Sequence, residues 1–379
     1  MLAAIILLWT CVPIYAEPND KTEHTVDLGL ECRSAILIEA KTGKILYEQN
    51  ADEALPPASV TKVMTLLLVM EAIEAGKLSY TDVLSASANA CSMGGSQIYL
   101  EEGEEMSVED LVKSVVISSA NDAAVVLAER IAGTEAAFVE QMNKKAQLLG
   151  MKNTVFENTN GLDDTVTKHL TSARDIAIMS RELIKYPKIM QYSSIWMDTI
   201  RGGEFGLTNT NRLIRFYKGA TGLKTGSTSK AGFCISATAE RDGMSLIAVI
   251  MGSPTRDVRN AAAVSLLDYG FSNYTVYSKV GERINDLPVK KGTIDKASVK
   301  YNDFSCVLPK SSASNISVKI NIPQSLTAPL KAGDVVGEVI YSSGKDVIGK
   351  SDIIVEKNVD KMSFGSMIME FFEKFASIF

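Results

Sequence analysis

Pro56 and Pro57 are followed by the run Ala58 to Met70, ASVTKVMTLLLVM, and this stretch restricts the fold most tightly. The two rings fix φ and bias the residue before each away from helix, so a helix starts near Ser59. Val63, Leu66, Leu67, Met70 and Ile73 then recur at helical spacing, which predicts a helix with one face deep in a core. Ser59 and Lys62 stand one turn apart on it, close enough to exchange a proton. A serine hydroxyl becomes a nucleophile when a base takes its proton. A lysine serves as that base once burial and a neighbouring cation push its pKa down. The helix N-terminus adds a positive field at Ser59 N–H, where an oxyanion would be stabilised. The spacing alone is weak: Ser227 with Lys230 and Ser342 with Lys345 repeat it in Gly/Ser-rich stretches that read as loops. A plain helix N-cap is the alternative for Ser59.

The 379 residues leave room for two domains, and 46% hydrophobic with 22% charged residues is an ordinary globular balance. A net charge of -6 without a basic run argues against a nucleic-acid partner. Of the two histidines, His24 lies in a polar stretch, so only His169 could serve a Ser-His-Asp triad, and a lysine base is the more natural reading. The five cysteines have no paired spacing, which suggests neither a zinc site nor a disulfide framework. Residues 1–16 form a short apolar run ending Ile14-Tyr15-Ala16, which reads as a secretory signal although its start carries no Lys or Arg. It is too short to span a bilayer comfortably, so the mature protein is read as exported, opening with a flexible segment over 17–27.

SAILIEAKTGKILYEQN then reads as a hairpin of two alternating strands turned at Lys41-Thr42-Gly43. Ser85 to Leu100 is rich in small residues and reads as loop. Ser107 opens a helix with a capping box to Asp110. This helix stops at Ser118–Asp122, before another from Ala123 to Ala132 that Gly133 ends. Ser119-Ala120-Asn121 thus occupies a short link from which a side chain can enter a cleft, or simply cap the second helix. A helix from Thr134 to Gly150 follows, then a turn-rich loop, Phe156 to Leu162. Thr171 to Asp175 caps a further helix, with His169 before it read as structural, and Trp196 to Leu213 is irregular. Lys224-Thr225-Gly226 leads into strands turned at Asp242-Gly243. On an edge strand, such a triplet can pair with an extended peptide: the glycine allows approach, and lysine and threonine can meet a carboxylate. Thr255 to Tyr269 is the last helix of this part, ended by Gly270 and carrying Arg256 and Arg259.

Beyond Thr275 the helical period gives way to alternation between Gly, Pro and Ser turns, which predicts a small all-β domain over 276–360. The last stretch, 361–379, places Phe364, Ile368, Phe371, Phe372, Phe375, Ile378 and Phe379 on one helical face, suiting a helix lying in a membrane surface. Docking on its own β domain is the alternative.

Ser59-x-x-Lys62, Ser119-x-Asn121 and Lys224-Thr225-Gly226, in this order, match the set found in penicillin-binding proteins and class A β-lactamases. The chain resembles the low-molecular-mass penicillin-binding proteins that act as serine-type D-alanyl-D-alanine carboxypeptidases. The likeness extends to Phe156-x-Asn-x-x-Gly-Leu162 and His169-x-x-Ser-Ala-Arg-Asp175. It implies an α+β fold: a β-lactamase/transpeptidase-like catalytic domain over 28–275 (an antiparallel sheet with helices), the all-β domain, and a membrane-anchoring amphipathic helix. It also implies that Ser59 forms the acyl-enzyme, Lys62 is its general base and Ser119 relays a proton. Asn121 would hold the substrate amide. Lys224 and Thr225, with Gly226 and Ser227 beside them, would bind the terminal carboxylate, Lys224 also keeping Lys62 neutral. The backbone N–H groups of Ser59 and Ser227 would take the oxyanion. Arg212 and Arg259 lie where family members place arginines near that carboxylate. Ser227 stands where the family often has histidine. The implied partners are peptidoglycan stem peptides, β-lactam antibiotics and the outer face of the bacterial cytoplasmic membrane; no metal or organic cofactor is implied. A serine β-lactamase is the alternative enzyme, since Glu157 sits where such enzymes keep a deacylating glutamate, though Gly161 replaces the asparagine expected four residues on. An idle, membrane-tethered wall-binding protein is the alternative of another class.

Overall fold

SAILIE, Ser34–Glu39 (β1), is buried at every position. Its near-continuous apolar run belongs inside a sheet covered on both faces, not at a half-exposed surface. The computed structural model describes residues 26–164 and 166–363, with Gly365 and Ile368. The signal segment, the start of the 17–27 segment and most of the 361–379 helix expected from the sequence lie outside these residues. β1 pairs antiparallel with Ile45–Gln49 (β2), and Lys41-Thr42-Gly43 is the turn between them, with Gly43 at φ +73°.

A 3₁₀ turn, Ala58–Thr61, leads into Lys62–Glu74 (α1). Val83–Ser85 (β3) and Glu105–Ser107 (β4) pair around a one-turn helix, Ala88–Cys91 (α2), inside the stretch read as loop. Ser107 accepts Asp110 N–H to cap Val108–Lys113 (α3), as the capping box predicts. The chain then loosens into a π turn, Ser114–Ser118, and stops where Ser119 takes φ +67°. Asn121–Ala132 (α4), Glu135–Leu148 (α5), Ala173–Leu183 (α6) and Pro187–Ser193 (α7) follow. α4, α5 and α6 surround α1, so every residue from Lys62 to Met70 is buried, not one face only.

The segment after Trp196, expected to be irregular, contains a hairpin of Met197–Ile200 (β5) and Phe205–Thr208 (β6) and a short helix, Leu213–Phe216 (α8). Ala220–Thr228 (β7), Gly232–Arg241 (β8) and Met244–Ser253 (β9) complete a five-stranded antiparallel sheet in the order β2-β1-β9-β8-β7. β7 is an edge, and Lys224-Thr225-Gly226 lies on it. Strand alternation sorts the core: Ile36, Ile38, Val249 and Met251 face α1 and α6, while Ala35, Leu37, Ala248 and Ile250 face Arg256–Asn273 (α9). α9 continues through Gly270, which does not end it. A Cβ there would fall 2.6 Å from Leu246 Cδ1, so this glycine lets the helix seat on the sheet.

From Tyr274 the described chain is almost wholly β. Tyr274–Lys279 (β10), Leu287–Lys290 (β11), Lys296–Ala297 (β12), Val299–Tyr301 (β13), Phe304–Pro309 (β14), Ile316–Asn321 (β15), Leu326–Thr327 (β16), Val335–Ser343 (β17) and Asp346–Val355 (β18) form small sheets, the largest ordered β13-β18-β17-β15. Val299, Tyr301, Val339, Tyr341, Ile353 and Val355 make a separate core, on which Phe304 stacks against Tyr341 at 4.0 Å. Cys32, Cys91, Cys234 and Cys306 are free thiols. Among the described residues no helix is long and apolar enough to cross a membrane.

Candidate active site

The Pro56-Pro57 pair delivers the chain into the 3₁₀ turn with Ala58 at φ +49°, a region that alanine seldom enters. Ser59 is left half-exposed at the head of α1, while Lys62, one turn on, is wholly buried. Lys62 Nζ lies 2.9 Å from Ser59 Oγ, 2.9 Å from Asn160 O and 2.5 Å from Asn121 Oδ1. Burial pushes the Lys62 pKa well down and the Lys224 cation adds to this, against a smaller opposing effect of Asp122.

The loop that brings Asn160 O to Lys62 is strapped from several sides. Asn143 donates to Phe156 O and accepts Phe156 N–H, both at 2.8 Å. Glu135 accepts Thr159 N–H and its hydroxyl, and Thr65 Oγ1 donates to Thr159 O. Gly161 follows at φ +86°, packed so closely that a Cβ would fall 1.9 Å from Ala58 O. The His-x-x-Ser-Ala-Arg-Asp stretch serves the same scaffold. Ser172 caps α6, Asp175 accepts Asn153 N–H and the Thr154 hydroxyl, and Arg174 pairs with Asp52 and Glu48. Glu157 is exposed, and its carboxylate accepts the N–H groups of Thr167 and Lys168.

A cleft of about 640 Å³ opens over Ser59. Ser119 lines it from the left-handed link, and its buried hydroxyl has no hydrogen-bond partner among the described residues. Thr225, Gly226 and Ser227 line it from the edge strand, Thr225 Oγ1 donating to Thr210 Oγ1 at 2.7 Å. A Cβ on Gly226 would fall 2.7 Å from Ser59 N, so only glycine lets β7 pass this close to the turn. Arg212 and Arg259 line the cleft, as do Arg215 and Arg256, and among the described residues no carboxylate does. Burial pushes the Arg259 pKa down to about 10.

Two of the expected site residues are also engaged within the protein. Asn121 is buried, its Nδ2 donating to Gly94 O at 2.6 Å and its Oδ1 taken by Lys62, leaving one further hydrogen-bonding position on each. Lys224, on β7, is not among the cleft-lining residues. Its buried amine donates to Thr225 O at 2.9 Å, and burial, with Arg259 nearby, lowers its pKa to about 7. Ser96, Trp196, Thr210, Arg215 and Phe216, which belong to none of the sequence motifs, line the cleft as well. The Arg215 guanidinium lies 5.7 Å from the Trp196 ring and 5.5 Å from the Phe216 ring, which themselves meet edge-on at 6.5 Å.

Fold and site together set a serine beside a buried lysine, with helices packed on an antiparallel sheet. Residues 20–255 match the family model described as D-alanyl-D-alanine carboxypeptidase, and residues 271–361 match the C-terminal domain of penicillin-binding protein 5. The chain belongs to this carboxypeptidase family, peptidase family S11. It is 40% identical to the D-alanyl-D-alanine carboxypeptidase DacF of Bacillus subtilis, over 96% of this chain and 94% of that one. The solved structure of penicillin-binding protein 5 from Haemophilus influenzae superposes with TM-score 0.77 at 32% identity, covering 88% of this chain and 98% of that one. Penicillin-Binding Protein D2 of Listeria monocytogenes, solved in an ampicillin-bound form, gives TM-score 0.60 at 34% identity over 65% of this chain and 99% of that one.

Proposed function

We propose that the protein is a serine-type D-Ala-D-Ala carboxypeptidase that trims stem peptides of the cell wall through a Ser59 acyl-enzyme and is acylated at the same serine by β-lactams. The observation that carries this reading is Lys62: buried, with depressed pKa, and 2.9 Å from Ser59 Oγ. As a neutral amine, Lys62 donates its two N–H bonds to Asn121 Oδ1 and Asn160 O, which leaves its lone pair for the Ser59 proton.

Ser59 Oγ attacks the carbonyl carbon of the penultimate D-Ala, and its proton passes to Lys62. Charge on the carbonyl oxygen is held by the N–H groups of Ser59 and Ser227. The C–N bond then breaks, the amine of the departing D-Ala taking a proton through the Ser119 hydroxyl from Lys62. Water, deprotonated by Lys62, hydrolyses the ester and frees Ser59. The terminal carboxylate enters a cleft carrying four arginines and Thr225. Lys224, buried and bonded to Thr225 O, acts chiefly by its field, which favours neutral Lys62. Glu157 is exposed and engaged elsewhere, which disfavours the β-lactamase reading. The catalytic part spans 28–275 and the β domain 276–360. The enzyme is exported and held on the outer membrane face by the 361–379 helix.

The test is release of D-Ala from a peptide ending in D-Ala-D-Ala. The native protein releases it and Ser59→Ala does not; a Ser59→Ala protein that still released D-Ala would sink the proposal.

A further inference from the structure

Three groups beneath Ser59 take no part in the chemistry above: the His169 ring, the Thr61 hydroxyl and the Ala58 carbonyl. His169 is 5% exposed and packs edge-on against Phe156, so its nitrogens depend on protein partners. Nδ1 faces the backbone N–H of Glu157 at 3.0 Å. An amide N–H can only donate, so Nδ1 carries no proton, and the neutral ring has its proton on Nε2. Burial pushes the His169 pKa down to about 4, which preserves this tautomer at neutral pH. Nε2–H therefore donates to Thr61 Oγ1 at 2.7 Å, and the Thr61 hydroxyl donates onward to Ala58 O at 2.8 Å. The direction of the chain is set from end to end.

Ala58 O belongs to the peptide unit whose other end is Ser59 N–H. Carbonyl and amide of a trans peptide point in opposite directions, so anchoring one aims the other. Ser59 N–H donates to no group among the described residues, and it faces the close passage of Gly226 at the cleft. Ala58 holds φ +49°, a conformation that persists only where its surroundings impose it. Gly161, packed on the same carbonyl, is the second such support.

We infer that His169, acting through Thr61, is a positioning residue for the oxyanion site: the chain Nε2–H to Oγ1–H to O=C sets the plane of the Ala58–Ser59 peptide and so aims Ser59 N–H at the developing negative charge. Hydrogen bonds in series polarise one another, so the same chain strengthens that amide as a donor. This inference rests on the reading of Ser59 as the nucleophile.

Thr61→Val keeps the side-chain shape and removes the hydroxyl; Thr61→Ser keeps the hydroxyl. For each full-length variant, with folding checked by circular dichroism, three quantities are measured: acylation rate with benzylpenicillin, kcat and KM for D-Ala release, and Kd for a peptide boronic acid carrying the boron analogue of D-alanine. That inhibitor forms a tetrahedral adduct with an oxygen in the oxyanion site. Thr61→Val lowers kcat and boronate affinity together by about 10- to 100-fold with KM nearly unchanged, and Thr61→Ser recovers most of the loss. A folded Thr61→Val protein that acylates within about threefold of native, or that loses kcat with boronate affinity intact, overturns the inference. If Thr61→Val does not fold, His169→Gln, which keeps an N–H donor near Nε2, is compared with His169→Leu; equal losses overturn it and a smaller loss in Gln supports it. A native protein that benzylpenicillin does not acylate would instead overturn the reading of Ser59.

Discussion

Gly161→Ala forces a choice between the two halves of the site. The added Cβ would fall 1.9 Å from Ala58 O and 2.3 Å from Ala58 C, where ordinary contact begins at 3.4 Å. One backbone must therefore retreat by about 1.5 Å, because a close-packed interior has no slack to absorb it. If the loop retreats, Asn160 O leaves Lys62 Nζ, now 2.9 Å away. If Ala58 retreats, Ser59 moves with it. A misplacement of about 1 Å near reacting atoms costs on the order of 100-fold in rate. The left-handed φ adds about 1–2 kcal/mol of instability once the residue is alanine. Gly76→Ala separates the two effects, for Gly76 has φ +68° with nothing within 4 Å of its Cβ position. Acylation by a fluorescent penicillin, read beside thermal unfolding, should slow about 100-fold in Gly161→Ala and hardly at all in Gly76→Ala, with Tm lowered by a few degrees in both. A folded Gly161→Ala protein acylating within about threefold of native would refute the claim that Ala58 and Asn160 hold one another in place.

The acylation rate should fall as pH drops and Lys62 takes up a proton. Lys224→Gln removes a cation that lowers the Lys62 pKa, so this acid limb moves to higher pH, and a limb that stays in place would show the Lys224 field to be immaterial. Asn143→Ala strips both hydrogen bonds from the Phe156 backbone and should cost about 1–3 kcal/mol in denaturant unfolding; no change would mean the loop is held by its other contacts alone. A chain ending at Asp360 should leave the membrane fraction while keeping its D-Ala release activity; continued sedimentation with membranes would contradict the anchoring role of 361–379.

The chemistry was easiest to read where it lies in short local patterns. Ser59 and Lys62 are one helical turn apart, Ser119 breaks a helix by entering the left-handed region, and Lys224 to Gly226 sit on a strand that starts a run of three. Long-range contacts hide the rest. Thr61 stands between the two motif residues, yet its meaning depends on His169, 108 positions away. Gly270 resembles a helix terminator until Leu246 and Leu37 are seen pressing on it. The periodicity of α1 marks one face, but Met64, Leu68 and Val69 fill the others because three helices enclose it. Trp196 reaches the cleft from just before a hairpin with strands of four residues, and Arg215 and Phe216 from a helix of four, too short for either period to register.

The central claim is that Ser59 becomes covalently acylated, and an intact-mass time course of the chain lacking residues 1–16, after brief exposure to benzylpenicillin, tests it most directly. A one-to-one adduct that maps to Ser59 and is absent from Ser59→Ala is the predicted result. An unmodified protein, or an adduct on any other residue, would contradict it.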